Sequence, residues 1–378
     1  MRTKRVAIAG AGISGLYCAK LLQDSFDVTV FEKHSRIGGR IQTDEADGFL
    51  LDHGFQVYQP AYPEGGRAFD HQSLNLKYFS PGAYIKLGKS FHYVGDPFRE
   101  PGRVMDTLAA PIGSLLDKAR ILKLKFVDPE DSMVQGKSTL TLLKELGFSN
   151  KIIESFFRPF FSGVFLEREL DTPADFFARL YQLFSVSEVA VPALGMQQLP
   201  NQLVKSRKYE LLLDQDRDPK ALLNDYDYVV QAFPIRSSQD RMVTTDYFSS
   251  STLKAPSASL YLNGNDHGVI NHIAPMSAAS STYAPDGQSL WAVNLLDPNC
   301  TVPVSRVLQE LREWFPGHNF EHLKRYQIES ALPSEAAYGK TCLQREGIYY
   351  CSDGMEEPSI QGALLAGKKV ADAILHGS

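Results

Sequence analysis

Lys4 to Leu22, KRVAIAGAGISGLYCAKLL, is the stretch from which the fold is read. Lys4 to Ala9 is a short apolar run of strand type, and Leu16 to Leu22 has helical character. Between them stands Gly10-Ala11-Gly12-Ile13-Ser14-Gly15. After a turn over Asp24 to Asp27, a second apolar run, Val28 to Phe31, ends at Glu32. Each glycine has its own task. Gly10 permits a tight turn from strand to helix, Gly12 lets a pyrophosphate approach the backbone, and Gly15 lets the helix pack closely on the strand. The helix start directs unpaired N–H groups and partial positive charge at the phosphates. Glu32 closes the second strand, where a carboxylate accepts hydrogen bonds from ribose hydroxyls. The strand–turn–helix–strand order, with the acid about 20 residues on, separates a dinucleotide site from a plain glycine-rich turn.

Working outward, Gly38-Gly39-Arg40 follows the acid, and a nicotinamide site does not need it. This element resembles the GGR motif of the FAD-dependent amine oxidase superfamily, which includes protoporphyrinogen oxidases and phytoene desaturases. Ala46 to Glu64, ADGFLLDHGFQVYQPAYPE, resembles the segment that follows the motif in protoporphyrinogen-oxidase-like members. At the far end, Gly347 to Gly354, GIYYCSDG, reads as a strand leading into a turn, and Ser359 to Leu375 as a helix. The resemblance implies FAD as cofactor. Its implied contacts are Gly10, Gly12, Ile13, Ser14, Gly15, Glu32, Lys33, Gly39, Arg40, Gly54 and Phe55 from the N-terminal part. From the C-terminal part they are Asp353, at the ribityl or pyrophosphate region, and Ser359, Ile360 and Gln361, at the flavin pyrimidine ring. Unpaired N–H groups at that helix start would stabilise negative charge gathering there on reduction.

A chain of 378 residues holds a large core and two domains. With 43% hydrophobic and 22% charged residues it is an ordinary globular protein. A net charge of -5 leaves no electrostatic footprint for nucleic acid. Cys18, Cys300, Cys342 and Cys351 form no CxxC pair and no metal-ligand spacing, so no metal site is expected. They suit a reducing, cytoplasmic setting, with Cys18 in the core. The N-terminus mimics a signal peptide, but its apolar part is short and broken by glycines, and cleavage would remove the nucleotide turn. No apolar run reaches the roughly 18 residues of a membrane span, which leaves peripheral membrane contact open.

Along the chain, Phe49-Leu50-Leu51 and Phe55-Gln56-Val57 read as short strands around Asp52-His53-Gly54, a stretch that the resemblance places near the isoalloxazine. His53 is read as structural rather than as a base. Ser80 to Val94 reads as a hairpin turning at Gly88-Lys89. Leu115 to Phe126 reads as a helix with Leu115, Leu116, Ala119, Leu122 and Phe126 on one face. Ile152 to Phe165 carries Phe156, Phe157, Phe160, Phe161 and Phe165, and Phe176, Phe177, Tyr181 and Phe184 follow on a helix started by Pro173. These aromatics are read as helical core, as the wall of a large apolar pocket, or as a membrane-facing patch. Arg158 among them satisfies carbonyls or an acid such as Glu154 or Glu167, or else pairs with a substrate carboxylate. Val191 to Met196 resembles the superfamily's return to the nucleotide domain. Tyr209 to Leu213 and Tyr228 to Pro234 fill the strands expected there, and the short polar Asp214 to Asp227 departs from the pattern at the adenine. Ala258 to Leu262 and Ser289 to Leu296 read as strands, and Val304 to Phe315 as an amphipathic helix. Ile270 to Ser277 also resembles the protoporphyrinogen-oxidase-like group, and His272 within it is read as structural, with no partner nearby. Tyr326 to Pro333 reads as the return to the first domain.

The expected fold is α/β: a discontinuous Rossmann-like FAD-binding domain (1–80, 191–240 and 327–378) with an inserted mixed α+β substrate domain (81–190 and 241–326). The expected function is an FAD-dependent oxidoreductase that removes a hydride from a large, apolar small-molecule substrate. The alternatives are an amine oxidase, a flavin-using isomerase or mutase without net redox, and a non-catalytic flavin-binding partner protein. The lysine that amine oxidases hold near the flavin has no recognisable counterpart, and no catalytic residue is assigned.

Overall fold

Val6, Ala7, Ile8 and Ala9 are buried throughout, as a strand covered on both faces requires. In the computed structural model they lie in the strand Arg5–Ala9, at the centre of a six-stranded sheet. The structure describes residues 3–234, 240–297, 301–333 and 344–377, so Cys300 and Cys342 lie outside the described residues. Across this sheet the order is Gln344–Arg345, Ile348–Tyr350, Tyr228–Gln231, Arg5–Ala9, Asp27–Phe31 and Glu210–Leu212. All neighbours are parallel except the short Gln344–Arg345 edge. The centre is therefore built from both ends of the chain: Ala7 pairs with Thr29 on one side and Val229 on the other, and Val229 pairs with Ile348.

The helices Ile13–Leu22 and Ile360–His376 pack together on one face of this sheet. Their approach depends on Gly367, where a Cβ would lie 2.6 Å from the Ser14 carbonyl oxygen. Ser359 caps the last helix by accepting from the Gly362 N–H at 2.9 Å, and Gly377, at φ +68°, ends it.

A second, seven-stranded sheet has the order Glu321–Leu332, Arg241–Ser250, Ser289–Leu295, Ile270–Pro275, Leu260–Asn263, Gly82–Leu87 and Ser90–Gly95. Only Leu260–Asn263 and Gly82–Leu87 pair in parallel. One face packs on the amphipathic helix Val304–Trp314 through Phe248, Trp291, Val293, Val307 and Leu311. The other face carries Ile85 and Leu262, which pack on the phenylalanine-rich helices. There the chain makes one wide π-type turn, Ile153–Phe157, and runs into the α-helix Arg158–Phe165. Pro159 supplies no backbone N–H, and the widened turn before it accommodates the missing donor.

Several elements differ from expectation. Phe55-Gln56-Val57 is not a strand: Gly54 turns the chain at φ +84°, and the Gln56 amide donates to the Arg40 and His53 carbonyls. The helix Leu115–Leu124 leaves Leu115 and Leu116 exposed, as is Phe126 beyond its end, so these residues form no core face. The strand Arg241–Ser250 has no expected counterpart, and its polar run Thr244-Thr245-Asp246 is buried. Glu321–Leu332 is one strand of the seven-stranded sheet, so it runs across the domain boundary expected at 326/327.

Asp52, at the end of the Phe49–Asp52 strand, ties three segments together. It accepts from the Thr43 hydroxyl at 2.6 Å, the Met196 N–H at 3.0 Å and the Tyr283 hydroxyl at 2.8 Å. Burial pushes its carboxyl up to about 6, against these three donors, which pull it down. An acid raised in the folded state stabilises the fold while protonated. That contribution, ~3 kcal/mol, is complete below the unfolded value near pH 4 and is lost as pH rises through 6. Asp52→Asn should therefore flatten the melting-temperature profile between pH 4 and 6; a profile identical to wild type would contradict the raised value.

Candidate functional site

The strands Arg5–Ala9, Asp27–Phe31 and Tyr228–Gln231 all point their C-terminal ends at one cavity of about 1810 Å³, where an open parallel sheet places its ligand. Single small-molecule pockets run to about 1,000 Å³, so this one has room for a dinucleotide and a large second molecule. Its floor is the glycine turn. Gly10, at φ +112°, has no space for a Cβ, which would sit 2.9 Å from the Ala232 oxygen. Gly15 lies beneath the cavity, where a Cβ would be 2.1 Å from the Gly10 oxygen. Gly12 is different: its φ of -78° suits any residue, and a Cβ there meets nothing within 4 Å. The Gly38 N–H donates to the Ala11 carbonyl at 2.8 Å and holds Gly39 and Arg40 over this turn.

Of the residues singled out in the sequence, the structure brings Gly10, Gly12, Ile13, Ser14, Glu32, Lys33, Gly39, Arg40, Gly54, Phe55, Asp353, Ser359 and Ile360 to the cavity wall. Gly15 packs below it. The Gln361 side chain turns to accept from the Glu64 N–H at 3.1 Å. Glu32 is buried, with its carboxylate on the Ala11 N–H at 2.8 Å and the His34 N–H at 3.0 Å. The two chain ends meet in an ion pair: Arg40 bonds Asp353 and also donates to the Ala331 carbonyl at 2.8 Å. The polar segment after Glu210–Leu212 zips onto the acid's strand, with the Gln215 N–H donating to the Glu32 carbonyl at 2.8 Å. Gln215, Asp216 and Arg217 thereby line the cavity beside Lys33 and His34.

The aromatic cluster divides between two roles. Phe157, Phe165 and Phe177 are core, whereas Phe156, Phe160, Tyr181 and Phe184 face the cavity. Arg158 is spoken for: it grips Glu154 at 2.6 and 2.9 Å and also donates to the Arg168 carbonyl. It does not line this cavity. His53 lines it with Nε2 3.0 Å from Asp44 Oδ1. Burial pushes Asp44 up, but hydrogen bonds from Lys324, Tyr326, His53 and Arg36 outweigh it and hold the carboxyl well below the usual range.

The face of the second sheet forms the roof. Strand pairing puts Thr245, Asn294, His272, Leu262 and Ile85 in one row on that face. The Phe55 N–H donates to the Thr245 hydroxyl at 3.3 Å, and that hydroxyl donates to Asn294 Oδ1 at 2.7 Å. His272 does have a partner, contrary to the sequence reading: its Nδ1 lies 3.0 Å from the Asn271 Nδ2. Burial lowers its pKa to about 4, so the ring is neutral at physiological pH. Thr245 and Asn294 carry no local motif, and only strand register reveals them.

A parallel sheet whose glycine turn, buried acid and C-terminal capped helix surround one cavity defines a Rossmann-like nucleotide-binding protein. The open space above Gly12 and the buried carboxylate of Glu32 fit FAD as the nucleotide. Residues 13–217 match the family of flavin containing amine oxidoreductases, and the chain belongs to that family. Protoporphyrinogen oxidase 2 of Arabidopsis thaliana is 29% identical over 168 residues, which cover 42% of this chain and 32% of that protein. Coproporphyrinogen III oxidase of Staphylococcus aureus is 46% identical over 59 residues, 15% of this chain and 13% of its own length. These matches thus span about a third or less of the curated relatives. Among solved structures, an oxidoreductase from Methanosarcina mazei superposes with a TM-score of 0.73 at 16% identity, over 97% of this chain and 100% of that one. A reduced UDP-galactopyranose mutase does so at 0.67 and 15% identity, over 100% and 96%. At these identities the likeness is one of fold.

Proposed function

We propose that this chain is an FAD-dependent oxidoreductase that oxidises a large, mostly apolar small molecule. The observation that carries the reading is the single cavity that runs from the glycine turn to the Phe156, Phe160 and Phe184 wall. Some of the similar curated proteins, among them protoporphyrinogen oxidase, coproporphyrinogen III oxidase and 4,4'-diapophytoene desaturase, have names that agree with such a substrate, while a polyamine oxidase and an L-amino-acid oxidase are also similar over short stretches. Bound FAD supplies two-electron acceptor chemistry, and an external oxidant such as oxygen or a quinone completes the cycle. The chain's own residues bind, orient and desolvate. Gly12, Ile13 and Ser14 give backbone and helix-start donors to the phosphates. Arg40, held by Asp353, adds positive charge beside them. Ile360 and Gln361 aim the start of the last helix at the site and favour negative charge there. The aromatic wall excludes water from an apolar substrate. The test is anaerobic bleaching of the flavin absorbance. Porphyrinogens or polyenes should bleach it and small polar amines should not; bleaching by amines alone would reverse the assignment.

Glu32 is assigned to the ribose. Its carboxylate already holds two backbone N–H groups and retains acceptor capacity toward the cavity. Glu32→Ala should weaken FAD binding about 10-fold or more, since bonds to a charged acceptor are among the stronger ones. Unchanged affinity in a fluorescence titration would remove the role.

We further infer that the cavity mouth rests on an anionic bilayer, with the protein on the cytoplasmic side. No helix among the described residues is long and apolar enough to cross a membrane. Phe98 and Phe126 are 70% and 77% exposed, and Lys125 Nζ lies 4.9 and 5.0 Å from their ring centres. Met105, Leu115 and Leu116 are exposed on the adjoining helices. Residues 98–126 hold six basic and three acidic side chains in a chain of net charge -5. Apolar anchors ringed by lysines are the pattern of interfacial attachment. The protein should float with phosphatidylcholine–phosphatidylglycerol vesicles, and the pair Phe98→Ser, Phe126→Ser should not. Failure of the wild type to float, or its self-association through this patch in sedimentation, would overturn the assignment.

A further inference from the structure

The roof of the cavity changes character at one residue. In the row Thr245, Asn294, His272, Leu262 and Ile85 the middle three line the cavity: Asn294 is polar, His272 follows it, and Leu262 beyond is apolar. His272 touches both worlds: its ring meets Phe55 edge-on at 5.4 Å between centres, and Leu262 is its neighbour across the strand pair. The ring packs against the backbone of Gly163, where a Cβ would lie 2.6 Å from its Cε1.

Its tautomer follows from the neighbours. Asn271 Nδ2 donates to the Pro159 carbonyl at 3.1 Å, and a carbonyl can only accept. That fixes the amide so that Nδ2 also faces His272 Nδ1 at 3.0 Å, which makes Nδ1 the acceptor. In the neutral ring the proton then sits on Nε2. Nε2 has no hydrogen-bond partner among the described residues, and the ring lines the cavity. Asn294 is oriented in a similar way. Its Oδ1 accepts from Thr245, so its Nδ2 is the donor end, with only a 3.4 Å contact to the Ala292 carbonyl. Both side chains are more than nine-tenths buried. Two donor groups thus stand side by side on the cavity face of the sheet, where an acceptor oxygen of a ligand would complete their hydrogen bonding.

We propose that His272 Nε2–H and Asn294 Nδ2–H form a subsite for one acceptor oxygen, a carbonyl or carboxylate, of the substrate. The oxygen docks where the polar part of the roof ends, and the apolar body extends along Leu262 toward Phe160 and Phe184. His272 and Asn294 are positioning residues here, and they exchange no proton with the substrate. The assignment rests on the cavity being the substrate site of a flavin enzyme.

The test uses the FAD-loaded protein and two probes that differ by the carbonyl oxygen, 2-acetylnaphthalene and 2-ethylnaphthalene, titrated by calorimetry. Flavin absorbance is recorded first, so failure to load FAD, which bears on the function, is read separately from failure of the subsite. Wild type should prefer the ketone about 10-fold. The preference should fall in His272→Leu, vanish when Asn294→Leu is added, and return in His272→Gln, whose amide restores a donor. 2-Ethylnaphthalene should still bind each variant, so the change is read in the ketone-to-hydrocarbon affinity ratio, a pattern that a merely structural histidine would not give. A third probe, 2-naphthoate, separates the sources of the oxygen: tighter binding than the ketone assigns a carboxylate, weaker binding a carbonyl. Equal affinity of wild type for the first two probes, no binding of either, or a preference that survives His272→Leu would overturn the subsite.

Discussion

Gly12→Val should yield a folded, colourless protein, and Gly15→Val should yield no folded protein at all. The two glycines are three residues apart and have opposite surroundings. Gly12 has extended backbone that any residue adopts, and a side chain there projects into open cavity. Nothing in the protein resists the valine, so the melting temperature without FAD should match wild type. The valine would instead occupy the space above the turn where the pyrophosphate approaches. Losing two charge-assisted hydrogen bonds to phosphate lowers affinity by about 100-fold or more. At Gly15 the added carbon would lie 2.1 Å from the Gly10 oxygen and 2.8 Å from the Ala232 Cβ. The first of these is backbone in the central strand's turn, so neither side can yield. Normal FAD loading of Gly12→Val, or a stable Gly15→Val, would contradict the assignment of the turn.

Arg40→Met should cost both stability and FAD, and the two losses should separate. The substitution leaves the Asp353 carboxylate buried without its guanidinium. Removing one member of a buried pair costs about 3–5 kcal/mol; Arg40 is a third exposed to the cavity, so about 2–3 kcal/mol is expected. For a chain of this length that is a melting-temperature drop of about 3 °C. Adding Asp353→Asn removes the stranded charge and should recover most of the drop. It should not recover FAD affinity, because the positive charge at the cavity wall is still missing. Recovery of both together would reduce Arg40 to a structural partner of Asp353.

The nucleotide half of this fold is legible in the sequence because its determinants are local. The strand, the Gly10–Gly15 turn, the helix and Glu32 fall within one short stretch, and each residue type has one reason to be there. The last helix is equally legible, since Ser359 caps it and Gly377 ends it. The roof is not. No element is expected over Thr244, Thr245 and Asp246, yet Asn294, His322 and Arg325 satisfy two of them from about 50 to 80 residues away. No local pattern announces such partners. Leu115, Leu116 and Phe126 mislead in the other direction: their spacing is that of a buried helix face, and they are exposed. His272 lay between these cases, for its partner is the adjacent Asn271, but the Pro159 carbonyl that orients that amide comes from another helix. Arg158 needed only the sequence, since Glu154 stands one helical turn before it.

Hydrogen–deuterium exchange with and without FAD tests the central claim, that one FAD is held jointly by the two ends of the chain. Peptides covering residues 9–16 and 38–41, and peptides covering 351–363, should gain protection together and at the same FAD concentration. Protection of the amino-terminal peptides alone, with the start of the last helix exchanging as before, would contradict it.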